Sequence, residues 1–120
     1  MKTILVVDDL ASVRFYHQSL LKQAGYATLS ARDGLEAVAV LEKQPVDLVL
    51  LDLLMPKMNG TEFLKHLRAS ARFAALPVLV VTSEPQLDQA RELQGTARVS
   101  VLHKPLLPET LLAEVRRFLG

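Results

Sequence analysis

Five short apolar runs recur along this chain, and each is followed by a segment whose apolar residues repeat with the period of a helix. The runs occupy residues 4–7, 26–31, 48–51, 78–81 and 99–102. Strands that alternate with helices form parallel sheets, because each right-handed crossover returns the chain to the same edge. The pattern therefore predicts an α/β fold with helices on both faces of a five-stranded parallel sheet.

The make-up of each run predicts its place in the sheet. The runs at 4–7, 48–51 and 78–81 are apolar at every residue, as expected of strands covered on both faces. The runs at 26–31 and 99–102 contain polar residues, which are tolerated more readily at a sheet edge. A doubly wound sheet in the order 2-1-3-4-5 puts these two runs at the edges, and we expect that order.

Glycine and proline residues, together with the spacing of apolar residues, predict where the helices begin and end. Gly25 is expected to end the first helix, because glycine adopts the left-handed conformation common at helix C-termini. The apolar face of that helix is expected to comprise Val13, Tyr16, Leu20, Leu21 and Ala24. Further helices are expected from about Leu35 to Lys43, around Phe63, Leu64 and Leu67, between Pro85 and Gly95, and from Pro108 onward.

Length and composition narrow the class of protein. A chain of 120 residues has room for one core, so we interpret residues 1–120 as a single domain with no output domain. The sequence has neither an apolar stretch of ~20 residues nor an export signal, which predicts a cytoplasmic protein without membrane contact. The absence of cysteine excludes thiolate metal sites. A net charge of +1, spread along the chain, gives no indication of direct nucleic-acid binding.

Polar side chains follow four of the five runs. They are Asp8, Asp9, Asp52, Thr82 and Lys104. A single aspartate after a strand is commonly a helix cap or a solvated loop residue. Ligands of parallel sheets, however, bind beyond the carboxyl ends of the strands, so these side chains are expected to converge. Three carboxylates against one ammonium repel one another and destabilise the fold unless a further cation offsets their charge.

The donor set predicts the kind of cation. Oxygen ligands without cysteine or suitably spaced histidine favour a hard ion. Mg²⁺ suits a site with few carboxylates, because it retains several waters and shares its coordination with phosphoryl groups. A carboxylate can also attack phosphorus, while a cation and an ammonium neutralise the transferring oxygens. The expected chemistry is phosphoryl transfer.

The motifs, taken in order, resemble the receiver domain of two-component response regulators. They are Ile4-Leu5-Val6-Val7-Asp8-Asp9, Leu50-Leu51-Asp52 with Met55-Pro56 and Gly60, Val80-Val81-Thr82-Ser83, and Lys104-Pro105. The resemblance covers the whole chain and implies the flavodoxin-like form of the sheet. It also implies a phosphorelay protein that switches a surface for an unknown downstream protein target.

The resemblance implies a role for each site residue. Asp52 would accept a phosphoryl group from a histidine kinase or phosphotransfer protein, and Thr82 and Lys104 would bind its oxygens. Mg²⁺ would be held by Asp8, Asp9, Asp52 and the backbone carbonyl of Leu54. The bond between Lys104 and Pro105 would be cis. Such a chain assists its own phosphoryl transfer and hydrolysis but is not an enzyme that turns over external substrates.

One departure from the family pattern concerns signal transmission. The family usually has tyrosine or phenylalanine three residues before the lysine, where this chain has Val101. A second departure is Ala97-Arg98 in place of a glycine-alanine pair. Valine is stiff at χ1 and too short for the inward swing of a ring, so we expect a smaller structural change on phosphorylation.

Three alternative functions compete with the phosphorylation switch. A haloacid-dehalogenase-like phosphatase would need an aspartate two residues after the nucleophile, where this chain has Leu54. A receiver that binds partners without phosphorylation is disfavoured by the complete set of site residues, and a nucleotide binder by the lack of a glycine-rich loop. The three histidines are expected to be exposed or to serve in packing, and only His103 is expected near the site.

Overall fold

The computed structural model of the chain describes residues 1–52, 60–82 and 98–119. Its five strands form one parallel sheet in the order β2-β1-β3-β4-β5. The strands are β1 (Thr3–Val7), β2 (Ala27–Ala31), β3 (Leu48–Asp52), β4 (Val78–Thr82) and β5 (Val99–His103). The predicted fold class and strand order are confirmed.

Four helices lie within the described residues. They are α1 (Ala11–Gln23), α2 (Gly34–Lys43), α3 (Gly60–Ala69) and α4 (Pro108–Leu119). The helix expected between Pro85 and Gly95 lies outside those residues. No helix in the described part of the chain combines the length and the apolar content that crossing a bilayer requires.

The sheet has an apolar core on each face, because successive side chains of a buried strand point in opposite directions. In β1, Leu5 and Val7 join the cluster under α2 and α3, while Ile4 and Val6 join the cluster under α1 and α4. Every residue of β3 is buried, whereas β2 and β5 are mostly half-buried. The central and edge positions predicted from run composition are thus confirmed.

The ends of the helices follow local hydrogen bonding. Gly25 has φ of 99°, and its N–H donates to the carbonyl of Lys22 at 3.0 Å, so the predicted stop is confirmed. The α2 helix begins at Gly34, one residue before the predicted start. Its cap is Asp33, whose carboxylate accepts a bond from the backbone N–H of Glu36 at 2.9 Å.

The predicted apolar face of α1 was partly wrong. Tyr16 is 48% exposed, and the buried residues of this helix are His17 and Leu21. His17 and Leu21 are four residues apart, so they lie one above the other on the line that faces the sheet. Tyr16 is turned by about 100° from His17 and lies at the border of that line. The fold therefore buries an imidazole where the hydropathy pattern favoured a phenol.

Candidate functional site

The register of the sheet brings three carboxylates together. Val7 of β1 pairs with Leu51 of β3, so the residues that follow them, Asp8 and Asp52, leave the sheet at the same level. Oxygen atoms of Asp8, Asp9 and Asp52 all lie within 4.8 Å of one another. Asp8 and Asp52 are only 4% and 7% exposed, whereas Asp9 is exposed. The acidic cluster predicted from strand ends is therefore present in the fold.

Asp8 is held in place by three hydrogen bonds. Its carboxylate accepts a bond from the N–H of Leu10 at 3.0 Å, and its own N–H donates to the carbonyl of Ala31 at 3.1 Å. The guanidinium of Arg14 donates to the carbonyl of Asp8 at 2.7 Å. The contact from Arg14, one turn into α1, was not predicted from the sequence.

The surroundings of Asp8 disfavour its negative charge. Burial raises the pKa of Asp8 to about 6, and the nearby charges of Asp52 and Asp9 raise it as well. The bond from the Leu10 N–H and the charge of Lys104 act in the opposite direction. At neutral pH an ionised Asp8 is therefore costly unless a cation lies beside it. The all-oxygen donor set and this excess of negative charge fit a hard divalent cation.

Lys104 provides positive charge on the other side of the site. Its Nζ lies 3.3 Å from Oδ2 of Asp52, and its side chain is 40% exposed. The pairing of β4 with both neighbouring strands brings Lys104 to this place. Asp52 of β3 pairs with Val81 of β4, and the next residue of β4, Thr82, pairs with His103, which directly precedes Lys104. The Lys104–Pro105 bond is cis, as the family resemblance implied.

The remaining predicted site residues are only partly described. Thr82 ends β4, one residue beyond the partner of Asp52, so its backbone lies at the site edge of the sheet. Leu54, the expected source of a backbone carbonyl ligand, lies outside the described residues. Val101 is half-buried and packs against the core under α2 and α3.

The prediction that only His103 among the histidines lies near the site was wrong. His17 is 7% exposed and lines a cavity with Lys104. Burial lowers the pKa of His17 and the charge of Lys104 lowers it further, whereas the charge of Asp52 raises it. The sequence signal that could have placed His17 on the buried face of α1 is its spacing, because it lies four residues from both Val13 and Leu21.

Comparison with known proteins gives matches that extend over nearly the whole chain. The family model described as "Response regulator receiver domain" matches residues 4–116. The chain is 37% identical to the chemotaxis protein CheY-3 of Vibrio cholerae over 109 residues, which cover 90% of this chain and 84% of that relative. It is 33% identical to protein PilH of Pseudomonas aeruginosa, covering 100% of this chain and 99% of that protein.

A solved structure gives the same result. The crystallised chemotaxis protein CheY4 of Vibrio cholerae superposes with a TM-score of 0.89 at 36% identity. The superposition covers 98% of each chain. The likeness therefore extends across the whole sheet and its helices, including the edge of the sheet where the carboxylates and Lys104 meet.

Proposed function

We propose that Asp52 is the phosphoryl acceptor of this chain, because the chain belongs to the family of response regulator receiver domains. Receiver domains are phosphoacceptor switches in phosphorelay signalling rather than enzymes in the usual sense. The observation that carries the proposal is the position of Asp52 at the end of the central strand β3. There its carboxylate lies beside two other carboxylates and 3.3 Å from the Lys104 ammonium.

The proposed reaction is a single displacement at phosphorus. A carboxylate oxygen of Asp52 bonds to the phosphorus of a phosphohistidine while the bond from phosphorus to the histidine nitrogen breaks. Lys104 and Thr82 then hold phosphoryl oxygens, and the ammonium offsets their charge. The chain assists this transfer and the later hydrolysis of its own acyl phosphate, and it does not turn over external substrates.

The proposed metal site comprises Asp8, Asp9, Asp52 and the backbone carbonyl of Leu54. Bound Mg²⁺ supplies neutralisation of the charge that gathers on the phosphoryl oxygens. The protein's own part is to hold the carboxylates in position. For Asp8, the Leu10 N–H donates to the carboxylate, and Arg14 donates to the backbone carbonyl of the same residue. The raised pKa of Asp8 supports this assignment, because a cation removes the cost of ionising that group.

The proposed partners follow from the same chemistry. The phosphoryl donor is a histidine kinase or a phosphotransfer protein, and the phosphorylated chain binds an unknown downstream protein target in the cytoplasm. A relative at 30% identity is the sporulation initiation phosphotransferase F of Bacillus subtilis, which supports a place in a phosphorelay. We propose no direct contact with nucleic acid or with a membrane.

Incubation with acetyl phosphate and Mg²⁺ tests the proposed function. We expect one phosphoryl group per chain, seen by intact-protein mass spectrometry as a gain of about 80 Da. Omission of Mg²⁺ is the control and is expected to prevent the gain. Steady release of phosphate from p-nitrophenyl phosphate would contradict the proposal, because it would indicate a phosphatase.

Val101 predicts a limited response at the edge strand. Addition of beryllofluoride and Mg²⁺ is expected to move β5 amide resonances less in the native chain than in a Val101→Phe variant. The family resemblance implies that a ring at this position would turn inward on activation, whereas a valine side chain is too short to do so. Two-dimensional NMR of both proteins measures the difference, and larger β5 shifts in the native chain would show the prediction to be wrong.

A further inference from the structure

A small cavity adjoins the site on the side of α1. Its volume is about 210 Å³, and its lining residues are Val13, Tyr16, His17, Val81, Lys104, Pro105 and Leu106. Apart from the phenol of Tyr16, its polar side chains are an imidazole and an ammonium. The ammonium is the one that lies 3.3 Å from Asp52. The cavity thus connects α1 to the proposed phosphoryl acceptor through basic groups.

His17 is a buried residue, but its imidazole has no fixed partner among the described residues and its ring nitrogens are not sealed from solvent. The residue is 7% exposed, and no hydrogen bond joins it to any other residue in the described part of the chain. Its ring stacks obliquely on that of Tyr16, with centroids 5.6 Å apart. In a buried imidazole one ring N–H usually donates a hydrogen bond to a nearby acceptor, which fixes the tautomer. His17 instead has its nitrogens free to respond to charge in the cavity.

The charges that act on His17 come from two neighbouring elements. Lys104, in the loop after β5, opposes a positive imidazole, and Asp52, at the end of β3, favours it. Within its own helix the adjoining titratable group is Tyr16. From α4, the same side of the sheet receives the apolar side chains of Leu111 and Val115. With Asp52 unmodified, burial and Lys104 prevail, and the pKa of His17 is lowered from 6.5.

We propose that His17 is a positioning residue for the phosphoryl group, an imidazole that takes up a proton from solvent when Asp52 is phosphorylated and then acts beside Lys104 as a second cation. The inference rests on the proposed function of Asp52. Phosphorylation replaces one negative charge at Asp52 by about two. The added charge attracts a proton to His17, and the Lys104 ammonium, once paired with the phosphoryl group, repels that proton less.

NMR titration of the imidazole resonances is the direct test. Both samples contain saturating Mg²⁺, and one also contains beryllofluoride as the stand-in for the phosphoryl group. His17 is expected to titrate below pH 6.5 without beryllofluoride and at a higher pH with it. His66, exposed on α3, is the internal control, because its resonances report any effect of beryllofluoride that does not involve the site. An unchanged midpoint for His17 would overturn the inference.

A matched pair of variants tests the same coupling from the other side. Because linkage is reciprocal, acid should tighten beryllofluoride binding through His17. The ratio of dissociation constants at pH 8 and pH 6 is expected to be about fivefold larger in the native chain and in His66→Gln than in His17→Gln. Titration of Asp8 contributes equally to all three proteins. Equal ratios in all three would overturn the inference.

The outcomes separate the two proposals. If beryllofluoride causes no shift in the amide of Asp52 or its neighbours, the proposed acceptor is wrong. If those amides shift while the midpoint of His17 remains fixed, Asp52 is the acceptor and His17 has only a packing role.

Discussion

Replacement of Asp52 by alanine is expected to abolish the gain of about 80 Da that acetyl phosphate and Mg²⁺ produce. The side chain removed is the one that would form the bond to phosphorus. The loss of the adduct should be complete, because the variant lacks the atom that would bond to phosphorus rather than binding the phosphoryl donor more weakly. Intact-protein mass spectrometry of the native and variant chains, sampled over one hour-scale time course, measures it.

Two controls make the result specific to Asp52. Glu109→Gln removes one exposed carboxylate from α4 and is expected to leave the adduct unchanged. Far-UV circular dichroism of Asp52→Ala shows whether the sheet is retained. A full adduct on Asp52→Ala would place the acceptor elsewhere, with the exposed Asp9 as the next carboxylate to examine.

Replacement of Asp8 by asparagine is expected to stabilise the metal-free fold while removing most of its affinity for Mg²⁺. The pKa of Asp8 is about 6 in the folded chain, against an ordinary value of 3.8. An ionised Asp8 is therefore unfavourable at pH 7, and the variant should gain about 3 kcal/mol in free energy of unfolding. Asparagine keeps an oxygen that accepts the Leu10 N–H. Urea unfolding, with and without Mg²⁺, measures both effects.

The pH dependence has a definite sign. Between pH 3.8 and about 6, the folded chain holds a proton on Asp8 that the unfolded chain has released. The contribution of Asp8 to stability therefore falls as the pH rises through this window. In Asp8→Asn that fall should be absent, whereas in the Glu109→Gln control it should persist. A variant less stable than the native chain at pH 7 without Mg²⁺ would contradict the interpretation.

The sheet was predictable because its strands differ in burial. Short runs that are apolar at every residue are typical of strands covered on both faces, which favoured central places for the runs that became β1, β3 and β4. The order 2-1-3-4-5 was expected because it agrees with these central places, and it gathers Asp8, Asp52 and Lys104 at one edge. The sequence did not need to show any contact directly, since parallel strands end on the same side.

The features that sequence analysis missed depend on tertiary contacts. Histidine is a polar residue, so an apolar pattern does not include His17 in the buried face of α1. Only the packing of α1 against the sheet places its side chain at the cavity. The bond from Arg14 to the carbonyl of Asp8 likewise depends on how α1 leaves β1. The roles of Thr82 and Leu54 remain predictions, since they depend on side-chain or loop geometry outside what the structure describes.

The pair of Asp52 and Lys104 joins residues that are 52 positions apart, and the Asp8 carboxylate comes from a third region of the chain. No single hairpin or helix contains enough of these groups to be chemically competent. The capacity to carry a phosphoryl group must consequently vanish in the same cooperative transition that melts the sheet. A partly unfolded chain, or a nascent one that lacks β5, would therefore not be phosphorylated. Only fully folded molecules would transmit a signal.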